Sequence, residues 1–144
     1  MELEDVARLR SVIGKLSRRL NVTATHEGLT PAESSMLAVV VARGPLTPSD
    51  LAAVEGVHPT MISRLVGRLS AAGLLERRQQ TDDLRSVTIH ATRTGRATSA
   101  RIRRERAAVV GDCVDRLPAH LDAALVSALP ALEALVQELQ RVPG

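Results

Sequence analysis

The stretch His58-Pro59-Thr60-Met61-Ile62-Ser63-Arg64-Leu65-Val66-Gly67-Arg68-Leu69-Ser70-Ala71-Ala72-Gly73 decides the fold. Ile62, Leu65, Val66 and Leu69 recur at i, i+3, i+4 and i+7, the single apolar face of a packed helix. Thr60, Ser63, Arg64, Gly67 and Arg68 take the opposite face. His58-Pro59 supplies a start with proline in the first turn, and Gly73 a stop where a left-handed C-cap is expected. Small polar groups in the N-terminal half let a helix approach a DNA major groove closely, and arginines one turn apart can pair with guanine O6 and N7. The same pattern also fits an ordinary solvated helix face, so the neighbouring segments must decide between the two.

Upstream, Thr47-Pro48-Ser49-Asp50 opens a short helix, Leu51 to Glu55, which Gly56 ends. Before it, Thr30-Pro31-Ala32-Glu33 reads as a capping box with proline at the first helical position. The helix it opens runs through Met36-Leu37-Ala38-Val39-Val40-Val41 and stops at Gly44-Pro45. A polar stretch, Thr23 to Gly28, separates it from a first amphipathic helix carrying Leu3, Val6, Leu9, Ile13, Leu16 and Leu20 and ending near Asn21.

Downstream of Gly73 the hydrophobic period changes. Leu74-Leu75-Glu76-Arg77-Arg78 and Ser86-Val87-Thr88-Ile89-His90 read as two strands of a hairpin, joined by the polar turn 79–85. Thr94-Gly95 then leads into a long helix ending near Leu117, before Pro118. The last helix covers roughly Ala119 to Arg141, with Leu121, Leu125, Leu129, Leu132, Leu135 and Leu139 on one side. Pro130 inside it predicts a kink or a break into two helices.

Short helix, tight turn, helix, hairpin is the order of a winged helix-turn-helix. At this point the sequence resembles the MarR (multiple-antibiotic-resistance regulator) family of transcriptional regulators. Asp83-Leu84-Arg85-Ser86 followed by Thr92-Arg93-Thr94-Gly95 looks like that family's wing signature. Leu51-Ala52 with Gly56-Val57, and Ser63-Arg64-Leu65-Val66 with Arg68-Leu69 and Gly73-Leu74, match further stretches. One departure is Ala91, where family members commonly carry leucine. The resemblance implies that Arg85 enters the minor groove from the wing tip with Asp83 orienting it. A narrow A·T-rich groove does concentrate negative potential and attract a guanidinium.

The expected fold class is therefore mainly α with a small β-hairpin wing. It is a single MarR-like domain over 1–144, with the winged helix-turn-helix at 30–95 and dimerisation helices at 1–22 and 96–144. The resemblance implies that the terminal helices interlock around a two-fold axis as a homodimer, which would let one small domain read a whole double-stranded operator. The expected DNA-contacting residues are Thr60, Ser63, Arg64 and Arg68 on the helix, Arg77, Asp83 and Arg85 on the wing, and His58, Thr47 and Ser49 at helix starts. Strand alternation puts Arg77 and Arg78 on opposite faces, so only one of them is expected at phosphate. His58 also reads as an N-cap, and capping is the better reading of Thr47.

Composition agrees. Of 19 basic residues only Lys15 is lysine, and the net charge is +3; the pI of about 10.3 reflects that arginine excess. Codon usage in a GC-rich genome produces the same excess, so its position carries more weight than its amount. There is no Phe, Tyr or Trp, which argues against single-strand or RNA readers that stack bases on aromatic rings. The single Cys113 excludes an intrachain disulfide and a cysteine-rich zinc site; among Val109, Val110 and Val114 it reads as a packed, inert thiol. The four histidines never pair at i, i+4. No nucleophile motif, P-loop or dinucleotide turn occurs, so an enzyme is not expected, and Asp82-Asp83 reads as structural. No stretch approaches ~20 apolar residues and the N-terminus is acidic, so neither a membrane span nor a signal peptide is expected and the chain is expected in the cytoplasm.

No cofactor or metal is expected. The resemblance implies a small, apolar, frequently aromatic acid as effector, held between the dimer helices and the DNA-reading head, and hence a ligand-responsive repressor. Arg8, Arg10 and Arg18 could meet its carboxylate, though solvated surface arginines fit them better. A constitutive DNA-binding or architectural protein without an effector is the alternative.

Overall fold

The computed structural model describes residues 1–22, 28–82 and 86–142. The elements are α1 (Leu3–Val22), α2 (Pro31–Arg43), α3 (Pro48–Glu55), α4 (Pro59–Ala71), β1 (Leu75–Gln79), β2 (Val87–Ala91), α5 (Arg93–Val114) and α6 (Ala119–Arg141). They group into two compact units, residues 1–106 and 107–144.

The first unit is built around a core without aromatic residues. Met36, Leu37 and Val40 of α2, Leu51 of α3, Ile62, Leu65, Val66 and Leu69 of α4, Leu75 of β1, Ile89 of β2 and Ile102 of α5 are all buried. Among them, Ile62, Leu65, Val66 and Leu69 are the four that helical spacing points inward. Local chemistry sets where each helix starts. Thr30 Oγ1 accepts from Glu33 N–H, and Glu33 Oε2 accepts from Thr30 N–H at 2.9 Å, a complete capping box with Pro31 in the first turn. Thr47 and Asp50 form the same reciprocal pair at the head of α3. Gly56 closes α3 in the left-handed region, at φ 63°, where a Cβ would be strained.

The hairpin pairs antiparallel, with Leu75 opposite Ala91 and Arg77 opposite Ile89. Both strands lie one residue beyond the sequence expectation. The reason is the end of α4: Leu74 N–H bonds back to Leu69 carbonyl and Gly73 N–H to Ser70 carbonyl, so Leu74 still belongs to the helix stop and the ladder starts at Leu75. The segment before α3 adds a bridge that the sequence did not reveal. Leu46 and Ile89 exchange both backbone hydrogen bonds, at 3.2 and 2.7 Å, which ties the head of α3 to the wing.

Helix α5 ends at Val114, three residues earlier than expected. Arg116 and Leu117 N–H bond to the carbonyls of Cys113 and Val114, an i→i+3 tightening of the kind that ends helices, ahead of Pro118. Cys113 is exposed rather than packed, which corrects the expectation of a buried thiol; its valine neighbours Val109 and Val110 are exposed with it.

The second unit is mostly α6, which continues through Pro130 as one helix, without the break that was one of two expectations. Its leucines 121, 125, 129 and 139 are exposed. By length and composition α6 is apolar enough to cross a membrane, and none of it is buried within the described residues. This corrects the expectation that no segment meets that measure. Asp122, Ser127 and Glu133 interrupt the apolar run without lowering its average enough. α1 likewise buries none of its residues.

Candidate nucleic-acid interface

The outward face of α4 is the one the sequence marked. Thr60, Ser63, Arg64, Gly67 and Arg68 are all exposed, while the inward face is closed. His58 caps this helix: its Nδ1 accepts from Thr60 N–H at 3.2 Å and lies 3.1 Å from Thr60 Oγ1. Thr47 is engaged in its own capping box, and Ser49 lies exposed in the first turn of α3.

Four arginines line α4 and β1, and they divide into two kinds. Arg78 pairs with Glu76 on the same strand, and Arg68 pairs with Glu33 of α2, Nη1 to Oε1 at 3.4 Å. Among the described residues Arg64 and Arg77 have no ion-pair or hydrogen-bond partner. Strand alternation puts Arg77 on the same side of β1 as buried Leu75. There it lines a cavity of about 150 Å³ together with Ser63, Ile62, Val66 and Pro48. Two guanidinium groups without a partner among the described residues therefore belong to this region, Arg64 following Ser63 on the helix and Arg77 sharing a cavity wall with Ser63 from the wing strand. Asp83 and Arg85 lie outside the described residues.

A second cavity, about 510 Å³, lies between α2 and α5. Ala38, Val41 and Ile102 make its apolar wall; Ser34, Arg103 and Arg106 supply its polar groups. Ser34 Oγ and Arg106 Nε and Nη2 are buried without a hydrogen-bond partner among the described residues. No group of three or more His, Cys, Asp or Glu that could hold a metal occurs among the described residues.

A MarR family profile matches residues 27–86, from just before α2 to the start of β2. Residues 27–86 are thus similar to the MarR family. The fold extends the likeness over most of the chain. Streptococcus pneumoniae FabT, solved in complex with DNA, is 20% identical with a TM-score of 0.73, covering 96% of this chain and 99% of its own. RV1404 from Mycobacterium tuberculosis is 23% identical with a TM-score of 0.82, covering 95% and 96%. E. coli MarR in its apo form is 23% identical with a TM-score of 0.78, covering 92% and 96%. At these identities the shared property is the winged-helix fold. No curated protein matches the chain in sequence.

Within residues 27–86, the sequence located the outward face of α4 and the helix starts. It did not reveal that Glu33 serves two elements. Its capping role is local and legible from Thr-x-x-Glu, but its bond to Arg68 spans 35 residues and leaves no trace in the pattern. Nor did it give the reason for the Thr-x-x-Gly spacing at 92–95. Thr92 Oγ1 accepts from Gly95 N–H at 2.9 Å and donates to Gly73 carbonyl at 2.6 Å, so one threonine caps α5 and ties it to the end of α4.

Proposed function

We propose that the protein is a transcription regulator that binds double-stranded DNA as a homodimer, through α4 in the major groove and the wing beside it. The observation carrying this reading is a pair of exposed arginines without a partner among the described residues, Arg64 next to Ser63 on α4 and Arg77 beside Ser63 in the cavity wall, in a reader head similar to the MarR family. An unpaired guanidinium keeps its donors for phosphate or guanine. Thr60, Ser63 and Arg64 are assigned to base edges, Arg77 and Ser49 to phosphate, and Arg85 to the minor groove with Asp83 orienting it. His58 and Thr47 contribute chiefly by capping, which presents helix N-termini to the backbone. The MarR family is one of transcription regulators rather than enzymes.

A second copy is the proposed cover for α1 and α6. Both helices leave their apolar residues in water, and large unburied apolar surface marks an association site. A regulator of this kind works in the cytoplasm, and its operator is an imperfect palindrome matching the two-fold axis.

The cavity between α2 and α5 favours the ligand-responsive repressor over a constitutive DNA-binding protein. Its apolar wall and the Arg106 nitrogens that lack a partner among the described residues suit a small aromatic acid, which by occupying it would shift the spacing of the two reader heads and release DNA. Selection of genomic fragments bound by the protein, followed by footprinting with and without aromatic acids, tests the whole reading. Palindromic fragments released by such an acid are the expected result. Recovery of no enriched fragment would overturn DNA recognition, and binding unaffected by any acid would leave the constitutive reading.

A further inference from the structure

Glu33 is a carboxylate only 7% exposed, and both of its oxygens are committed. Oε2 accepts from Thr30 N–H at the head of α2, and Oε1 accepts from Arg68 on the outward side of α4. A buried carboxylate has to be paired and hydrogen-bonded, so its second oxygen holds whichever cation is in reach. Arg68 is that cation. It lies one turn after Arg64 on the same face, yet its guanidinium is drawn toward α2 while that of Arg64 has no partner among the described residues.

We propose that Glu33 is a positioning residue for DNA recognition: it latches α4 to α2 through Arg68, fixing the presentation of Thr60, Ser63 and Arg64, and keeps Arg68 off the phosphates. The inference rests on the DNA-binding reading above. It reassigns Arg68, which the sequence placed among the DNA contacts, to a bond within the chain. Glu33 itself touches no DNA. Its carboxylate withholds one positive charge per protomer from non-specific binding, which raises the ratio of specific to non-specific affinity.

The salt dependence of binding separates this from a merely structural role, because each phosphate neutralised by the protein adds about 0.9 to the slope of log K against log salt. Three variants are compared with the wild type on a short mixed-sequence duplex and on a fragment recovered in the genomic selection. Glu33→Gln keeps an oxygen for Thr30 N–H, since glutamine also serves in capping boxes, but loses the charge that holds Arg68. Its slope on the mixed duplex is expected to steepen by about 0.9 per protomer, and its preference for the selected fragment to fall severalfold. Arg68→Gln is expected to keep the wild-type slope and to lose the same preference. The double variant is expected to return the slope to the wild-type value. A slope flattened by Arg68→Gln alone would show that Arg68 already contacts phosphate and would overturn the latch. So would a Glu33→Gln protein with unchanged slope and preference, or one whose affinity falls equally on both duplexes at constant slope. Wild-type protein without salt-dependent duplex binding would instead overturn the DNA-binding reading itself. If Glu33→Gln does not fold, Arg68→Gln still decides the question.

Discussion

Gly95 packs against the backbone of Leu74 so closely that a Cβ on it would stand 2.0 Å from the Leu74 carbonyl oxygen and 2.9 Å from the carbonyl carbon. Neither atom belongs to a flexible side chain, so the first turn of α5 and the backbone at the stop of α4, just before β1, would have to separate to admit one. Gly95→Ala is expected to destabilise the protein by about 1–3 kcal/mol, the usual cost of overpacking. Urea denaturation measures this. Gly67, where a Cβ would meet nothing within 4 Å, is the control: Gly67→Ala is expected to stabilise by up to about 1 kcal/mol through helix propensity. Equal midpoints for the two variants would show that the close approach carries no energetic weight.

Arg64→Ala is expected to weaken binding to a selected operator by roughly 1–3 kcal/mol more than binding to random duplex, as for a bidentate contact to guanine. Fluorescence anisotropy on the two duplexes reads the difference. Parallel losses on both would make Arg64 a phosphate contact and leave base reading to Thr60 and Ser63.

Arg85→Ala is expected to weaken DNA binding without unfolding the protein, and more so when the operator flank is A·T-rich than when it is G·C-rich, because minor-groove entry depends on groove width. Asp83→Ala gives a milder form of the same defect if it orients Arg85. Affinity unchanged by Arg85→Ala on both flanks would remove the wing tip from the interface.

Light scattering at micromolar concentration is expected to give twice the 15.4 kDa chain mass. Leu125→Glu, which puts a charge on the exposed apolar side of α6, is expected to shift the protein toward monomer and to weaken operator binding with it, since one reader head cannot span two half-sites. A monomeric wild type would sink the dimer proposal.

An aromatic acid that occupies the cavity between α2 and α5 is expected to raise the melting temperature, by mass action on the native state. Arg106→Met, which keeps the apolar stem but removes the guanidinium, is expected to abolish that shift while leaving DNA affinity in the absence of acid near wild type. An equal shift in the variant would place the acid elsewhere.

The sequence by itself determined the helix starts, the inward face of α4 and the order of elements. Capping boxes at Thr30 and Thr47, the stop at Gly73 and the i, i+3, i+4, i+7 spacing of Ile62, Leu65, Val66 and Leu69 all act within a turn or two, so they are written in adjacent residues. Only the tertiary structure decided which arginines are available. Arg64 and Arg68 look equivalent on a helix face, and Arg77 and Arg78 look equivalent on a strand. Arg68 is held by a carboxylate 35 residues away, and Arg78 by its neighbour Glu76 on the outer face of the wing. The same holds for the Leu46–Ile89 bridge, the contact of Gly95 with Leu74 and the exposure of Cys113. Each depends on how separate elements pack, and packing brings together residues whose separation along the chain carries no periodic signal.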